Sequence, residues 1–316
     1  MINVTIVGFG HVGSSLAVLL LNSKYQISLN IMDPNQECEG AFLDLAHSIT
    51  LCRDKELHIN YEKLFDSADF IYYAAGTRNV QGTSRLSIAK QNIALTEEVF
   101  KPRVFVNNPF IIVITNPVDI IAQSVYELTN LPAKHVFGTG TFLDSVRMAY
   151  YLSSISELNA TDFEILVLGE HGDSQVPVYS SSKAKGLPLL NHPMFSKKEL
   201  ENTTVLTKKA ASEIRETQEA TIFGVSKCAA VLLDFFLDSE EHSLSLSMLT
   251  NKHYRSLLLL KENIYIGMPV IVKNREVLIN NDLNINKGEL NSYRKSAQIL
   301  SENIKKFRIN EKTKSA

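Results

Sequence analysis

The sequence is short of several things. It has three cysteines in 316 residues, Cys38, Cys52 and Cys228. Odd in number and scattered, they exclude a disulfide frame and read as reduced thiols of a cytoplasmic compartment. Their spacing suggests no zinc site, and no metal is expected. Formal net charge is only −2, which gives no reason to expect a nucleic-acid partner. No apolar run is long enough to span a bilayer. A strand-like run beginning at the second residue, "INVTIVG", is expected to leave no room for a leader. Internal repeats and low-complexity linkers are also missing. What is present is an ordinary globular composition, 45% hydrophobic and 21% charged, in a chain long enough for two domains.

Short apolar runs punctuate the first half: "INVTIVG", "QISLNIMD", "LHINY", "DFIYYAAG", "FIIVITNP" and "KHVFGTG". Helix-length segments such as "HVGSSLAVLLLNS" separate most of them. Strands alternating with helices predict a parallel sheet with helices on both faces. After about residue 140 the rhythm changes. "DFEILVLGEHG" reads as one more strand, and Ser196 with Glu199 stand at capping-box spacing at the head of a long helix. "NIYIGMPVIVKNREVLIN" reads as strands joined by turns. Leu290, Tyr293, Ala297, Leu300, Ile304 and Phe307 step by three and four along a final helix. The expected fold class is α/β. A Rossmann-type doubly wound parallel sheet over residues 1–139 precedes a mixed α+β catalytic domain over residues 140–316.

"GFGHVG" places Gly8, Gly10 and Gly13 at G-x-G-x-x-G spacing. Alone this is weak, but here it follows a strand and opens a helix, and Asp33 ends the next strand. Gly8 would allow the tight turn, Gly10 the approach of a pyrophosphate, and Gly13 close packing of helix on strand. The helix N-terminus favours phosphate charge. Asp33 would accept from ribose hydroxyls and repel a 2′-phosphate, so NAD is the expected cofactor.

Further along stand His171 in "LGEHGDS", Asp144 and Arg147 in "GTGTFLDSVRM", Asn116 in "ITNPVD" and Arg85 in "AGTRNVQGTSRL". Singly, each has a plain reading. A lone histidine is usually a satisfied structural group. Asp and Arg three apart on a helix are usually a surface pair, and Asn-Pro after a strand is commonly a turn. Together, in this order and spacing, the motifs resemble those of the lactate/malate dehydrogenase family across nearly the whole chain. The resemblance implies that His171 exchanges a proton with the substrate oxygen while Asp144 orients it and stabilises its protonated form. It implies that Arg147 grips the substrate carboxylate and that Arg85, on a closing loop, polarises the carbonyl. Asn116 is expected at the strand end beside substrate and cofactor, and Gly76 beside the cofactor. The implied reaction interconverts a 2-oxo acid and an L-2-hydroxy acid, most simply pyruvate and L-lactate. Subunits of the family associate, so a homodimer or homotetramer is expected.

Three positions depart from the family. The side-chain discriminator, Gln in lactate enzymes and Arg in malate enzymes, is Asn79 by spacing, with Arg78 beside it. The Thr that lines the side-chain pocket of lactate enzymes is Glu219. That carboxylate disfavours a dicarboxylate substrate and leaves open a larger or basic 2-oxo acid; malate chemistry through Arg78 is the other alternative. The Arg and His with which some bacterial lactate enzymes bind fructose 1,6-bisphosphate are Ala149 and Glu164, so no such site is expected.

Overall fold

Apolar runs too short for helices become the strands of a parallel sheet. The computed structural model describes residues 1–77 and 85–312. In it, β1 (Ile2–Val7), β2 (Ile27–Met32), β3 (Lys55–Ile59), β4 (Phe70–Tyr73), β5 (Phe110–Val113) and β6 (Val136–Gly138) lie in the order β3-β2-β1-β4-β5-β6. Every neighbouring pair is parallel, with Val4 of β1 in register with Leu29 on one side and Phe70 on the other. Strands β2 and β4 are buried along their whole length, as strands covered on both faces must be. The polar Asn30 is tolerated within β2 because its amide is satisfied twice. It donates to the Tyr61 carbonyl at 3.0 Å and accepts from the Tyr61 N–H at 3.2 Å.

The connections are α1 (His11–Leu21), α2 (Glu39–Ser48), α3 (Glu62–Asp66), α4 (Arg85–Phe100) and α5 (Val118–Thr129). Strand order reverses between β1 and β4. In a doubly wound sheet such a reversal opens a crevice at the carboxyl ends of the strands, where ligands bind. The Rossmann-type sheet expected from the sequence is therefore present, and its switch point falls at Gly8 and Ala74.

This sheet belongs to one unit of the chain, Met1–Gly138 with Ala220–Asp234; the second is Thr139–Glu219 with Phe235–Ala316. The second unit opens with α6 (Phe142–Ser154), followed by the short strands β7 (Phe163–Glu164), β8 (Val167–Leu168), β9 (Val176–Pro177), β10 (Lys183–Ala184) and β11 (Leu187–Pro188). The single strand expected over "DFEILVLGEHG" is thus two. β7 pairs with β10, and β8 pairs with β9. Between them the Leu166 N–H donates to Ser182 Oγ at 3.0 Å, a side chain standing where a strand partner would be. Hydropathy carries no sign of that exchange.

Helix α7 (Lys197–Thr217) begins with the capping box read from Ser196 and Glu199. After α8 (Phe223–Leu237) come β12 (His242–Leu249), α9 (Lys252–Leu257), β13 (Tyr265–Lys273), β14 (Glu276–Ile279) and α10 (Lys287–Lys312). β13 and β14 are the expected turn-joined strands and pair antiparallel, and β12 adds to β13 in the same sense. Helix α10 buries Tyr293, Ala297, Leu300 and Ile304, one stripe of the expected face. Met148 and Leu152 of α6 pack with Val167 of β8 and Leu200 of α7, which ties α6 to the strand leading toward His171.

Candidate active site

At the first unit's switch point the three glycines do three different jobs. Gly8 has φ +96°, and a Cβ there would lie 2.5 Å from the Ala75 backbone, so the turns after β1 and β4 touch. A Cβ on Gly13 would lie 1.9 Å from the Gly8 carbonyl oxygen, so α1 packs directly onto the turn. Gly10 has an ordinary extended backbone, φ −72° and ψ −165°, and a Cβ there would meet nothing within 4 Å. The protein's own packing does not require glycine at position 10; a group lying against the loop would. Gly10 caps α1 without a side chain, so the positive end of an eleven-residue helix opens at the same place.

Asp33 is held at this loop. Its Oδ2 accepts from the Phe9 N–H at 2.7 Å and its Oδ1 from the Asn35 N–H at 2.9 Å. Each carboxylate oxygen can accept a second bond, which suits a ribose diol. Asn60 clamps the Asp33 backbone from both sides, accepting at 2.8 Å and donating at 3.0 Å. An open cavity of about 420 Å³ lies beside Asp33, lined by Asn35, Phe42, Leu43, Ile59 and Asn60 among others. Open space at Gly10, an uncapped helix start and an anchored carboxylate fit a dinucleotide.

Gly76 and Asn116 are joined by a residue the sequence reading passed over. Asn92, buried on α4, accepts at Oδ1 from the Thr77 N–H at 2.8 Å, and its Nδ2 donates to the Asn116 carbonyl at 2.7 Å. It ties the start of the loop after Gly76 to the end of β5, where Asn116 precedes a cis proline. The Asn116 side chain accepts from the Val118 N–H at 3.3 Å. The sequence offers only a polar residue on an apolar helix face, which names no partner.

In the second unit, His171 and Asp144 meet. His171 Nδ1 lies 2.7 Å from Asp144 Oδ2, and Arg147 Nη1 donates to Asp144 Oδ1 at 3.2 Å. The Asp144 side chain is 1% exposed, against 20% for His171 and 12% for Arg147. A carboxylate so buried needs partners, and here each oxygen has one. Asp144 also sits in the first turn of α6, where the helix field favours negative charge. Ser145 holds this helix against β8. Its Oγ accepts from the Val167 N–H at 3.0 Å, donates to the Thr141 carbonyl at 3.0 Å, and lies 3.2 Å from Ser245 Oγ. Ser145 is the second residue that sequence reading missed, since a serine in a helix predicts nothing about a strand 22 residues later.

The remaining candidates stand apart. Asn79 and Arg78 lie outside the described residues. Arg85 begins α4, and the expectation for its side chain also lies outside them. Glu219 is exposed just beyond α7. Ala149 is buried on α6, and Glu164 of β7 pairs with Lys183 at 3.6 Å. Cys38, Cys52 and Cys228 are unbridged. Among the described residues no cluster of His, Cys, Asp or Glu is arranged for a metal ion, and no helix is long and apolar enough to cross a membrane.

Residues 2–138 match the family model of the lactate/malate dehydrogenase NAD binding domain, and residues 141–310 match that of the lactate/malate dehydrogenase alpha/beta C-terminal domain. The chain belongs to the lactate/malate dehydrogenase family. An L-lactate dehydrogenase of Priestia megaterium is 30% identical over 307 residues, 95% of this chain and 94% of that protein. One from Geobacillus sp. (strain WCH70) is 28% identical over 316 residues, 97% of each. Among solved structures, a lactate dehydrogenase from a Medee basin deep-sea metagenome library matches with a TM-score of 0.88 at 26% identity, covering 98% of this chain and all 100% of that one. A malate dehydrogenase from Plasmodium falciparum shares the fold at a TM-score of 0.86 and 22% identity, with 97% and 98% covered. This lactate/malate dehydrogenase family member is an NAD-dependent oxidoreductase, and the loop from Gly8 to Gly13 lies within its NAD-binding domain.

Proposed function

We propose that the enzyme interconverts a 2-oxo acid and the corresponding L-2-hydroxy acid, with pyruvate and L-lactate as the pair. The observation that carries the reading is the single buried carboxylate of Asp144 shared by His171 and Arg147. NAD supplies the hydride acceptor for oxidation and, reduced, the hydride donor. Asp144 holds the His171 proton on Nδ1, which assigns the exchange of a proton with the substrate oxygen to Nε2. During reduction the imidazolium gives up the Nε2 proton, and during oxidation the neutral ring takes it back. Asp144 stabilises the imidazolium. Arg147 spends one N–H on Asp144 and offers others of its planar fork to the substrate carboxylate. Arg85 polarises the substrate carbonyl, and Asn116 donates to the substrate from the end of β5.

Asn79 takes the place of the discriminating side chain, uncharged and one methylene shorter than Gln, which leaves slightly more room and favours a neutral substituent. Glu219 is a bystander in this reading. Work in the cytoplasm as a homodimer or homotetramer, without a fructose 1,6-bisphosphate site, belongs to the same reading. The pairing of Glu164 with Lys183 supports the missing site.

The test is NADH oxidation against pyruvate, oxaloacetate, a branched 2-oxo acid and a guanidino 2-oxo acid. Pyruvate is expected to have the highest kcat/KM. A preference for oxaloacetate would transfer the discriminating role to Arg78. A preference for the larger or basic acids would make Asn79 and Glu219 the walls of a different pocket and end the lactate assignment.

A further inference from the structure

The loop that presents His171 is held from behind by a helix 125 residues away in sequence. Ser296, on α10 and only 1% exposed, accepts at Oγ from the Glu170 N–H at 2.9 Å. Its Oγ also lies 3.0 Å from Ser174 Oγ, and Ser174 Oγ in turn donates to the Glu170 carboxylate. A carboxylate only accepts, so the Ser174 hydrogen is committed to Glu170. The hydrogen between the two serines is therefore that of Ser296. The result is a closed ring. Glu170 N–H donates to Ser296, Ser296 to Ser174, and Ser174 back to the Glu170 side chain. Two of its three members bracket His171 in sequence.

The ring sits on a rigid base. Gly169 exchanges backbone hydrogen bonds with Gly267 of β13, at 3.1 and 3.0 Å. The Gly267 carbonyl also accepts from the Tyr293 hydroxyl at 2.9 Å, and Tyr293 stands three residues before Ser296 on the same face of α10. Gly169 has φ +91°, and a Cβ there would fall 2.6 Å from Ser296 Oγ, so helix and loop are in direct contact.

We propose that Ser296 is a positioning residue for catalysis: through the Glu170–Ser174 ring it fixes the backbone that aims His171 at Asp144. This rests on the proton-exchange role of His171 proposed above. A hydrogen-bonded ring fixes a loop in a way that apolar packing does not, because each bond sets a direction as well as a distance. Small misplacements of a catalytic group cost rate far more than they cost binding.

The experiment compares the full-length wild type with Ser296→Ala, Ser174→Ala and the double variant. Rates are expressed per NADH-binding site titrated by fluorescence, so that any unfolded fraction drops out. Ser296→Ala is expected to lower kcat about tenfold while KM for the 2-oxo acid stays within about twofold. Ser174→Ala should cost less, because Glu170 N–H keeps its partner. The double variant should be no slower than Ser296→Ala alone, because the ring is already open. Hydrogen exchange of the amides of residues 169–174 should accelerate in Ser296→Ala. An unchanged kcat per site, or additive losses in the double variant, overturns the proposal. So does unchanged exchange, which is measured without turnover: if the wild type reduced no 2-oxo acid, the proposed function would fail while the ring would still be tested.

Discussion

The turn from Gly8 to Gly13 is shaped mainly by its own glycines, with the Ala75 backbone and the Asp33 carboxylate against it, whereas the turn from Gly169 to Ser174 is held by side chains of α6 and α10 and by the backbone of β13. In the first, backbone geometry does most of the work: a positive φ at Gly8, a Gly13 packed so closely that a Cβ there would lie 1.9 Å from the Gly8 carbonyl oxygen, and a helix start left uncapped by any side chain. In the second, side chains do it. Asp144, Ser145, Tyr293 and Ser296 all come from other elements to place His171 or the strand and turn that carry it. The difference matches what the cofactor and the proposed relay each require. A pyrophosphate is met by N–H groups, which every residue except proline carries, so spacing suffices. A proton relay needs an imidazole and a carboxylate at one distance, which only tertiary packing can arrange.

The largest effect should come from the relay. His171→Gln is expected to lower kcat by about 10³-fold and leave NADH affinity within about twofold. Loss of NADH binding as well would mean that the two regions are not separable. Next come the glycines. Gly13→Ala should destabilise the protein by about 1–3 kcal/mol in urea unfolding, because a side chain there meets backbone. Gly10→Ala should change stability by less than about 0.5 kcal/mol but weaken NADH binding about tenfold. Equal behaviour of the two variants would erase the distinction between a glycine the fold requires and one a ligand requires.

Asp33→Ser should shift the NADH over NADPH preference by about 10- to 100-fold, the worth of hydrogen bonds to a charged group. Since Asp33 also accepts from Phe9, some of the loss should appear in NADH affinity itself. The smallest effect is expected outside both loops. Ser196→Ala should cost about 1 kcal/mol of stability through the lost cap, with kcat unchanged. The Ser196 side chain and amide hold the Glu199 carboxylate below its ordinary range. Its contribution is therefore present above the unfolded carboxylate's range and is lost as pH falls through the lower folded value. The cost of Ser196→Ala, read from urea midpoints, should shrink as the pH drops below about 4.3.

Legibility followed the range of the interactions. The six parallel strands, the capping box at Ser196 and the stripe on α10 are local patterns, and each was readable. β12 was not. "HSLSLSML" alternates as a half-exposed strand would, yet Ser245 and Ser247 are fully buried, with Ser245 Oγ beside Ser145 Oγ. The break between β7 and β8 was hidden because Ser182, which takes the Leu166 N–H there, lies elsewhere in the chain. Asn92, Ser145 and Ser296 are ordinary polar residues on helices until the fold supplies their partners.

By itself, then, the sequence determined the strand–helix alternation, the glycine turn with Asp33 after the second strand, and the residue types of the proposed proton relay. Periodicity, turn preference and side-chain chemistry act over a few residues. Only the tertiary structure decided that Asp144 is buried between His171 and Arg147, that Asn92 joins Thr77 to Asn116, and that Ser296 reaches the His171 loop. Those are contacts between segments distant in the chain, and their geometry is set by how whole helices and strands pack.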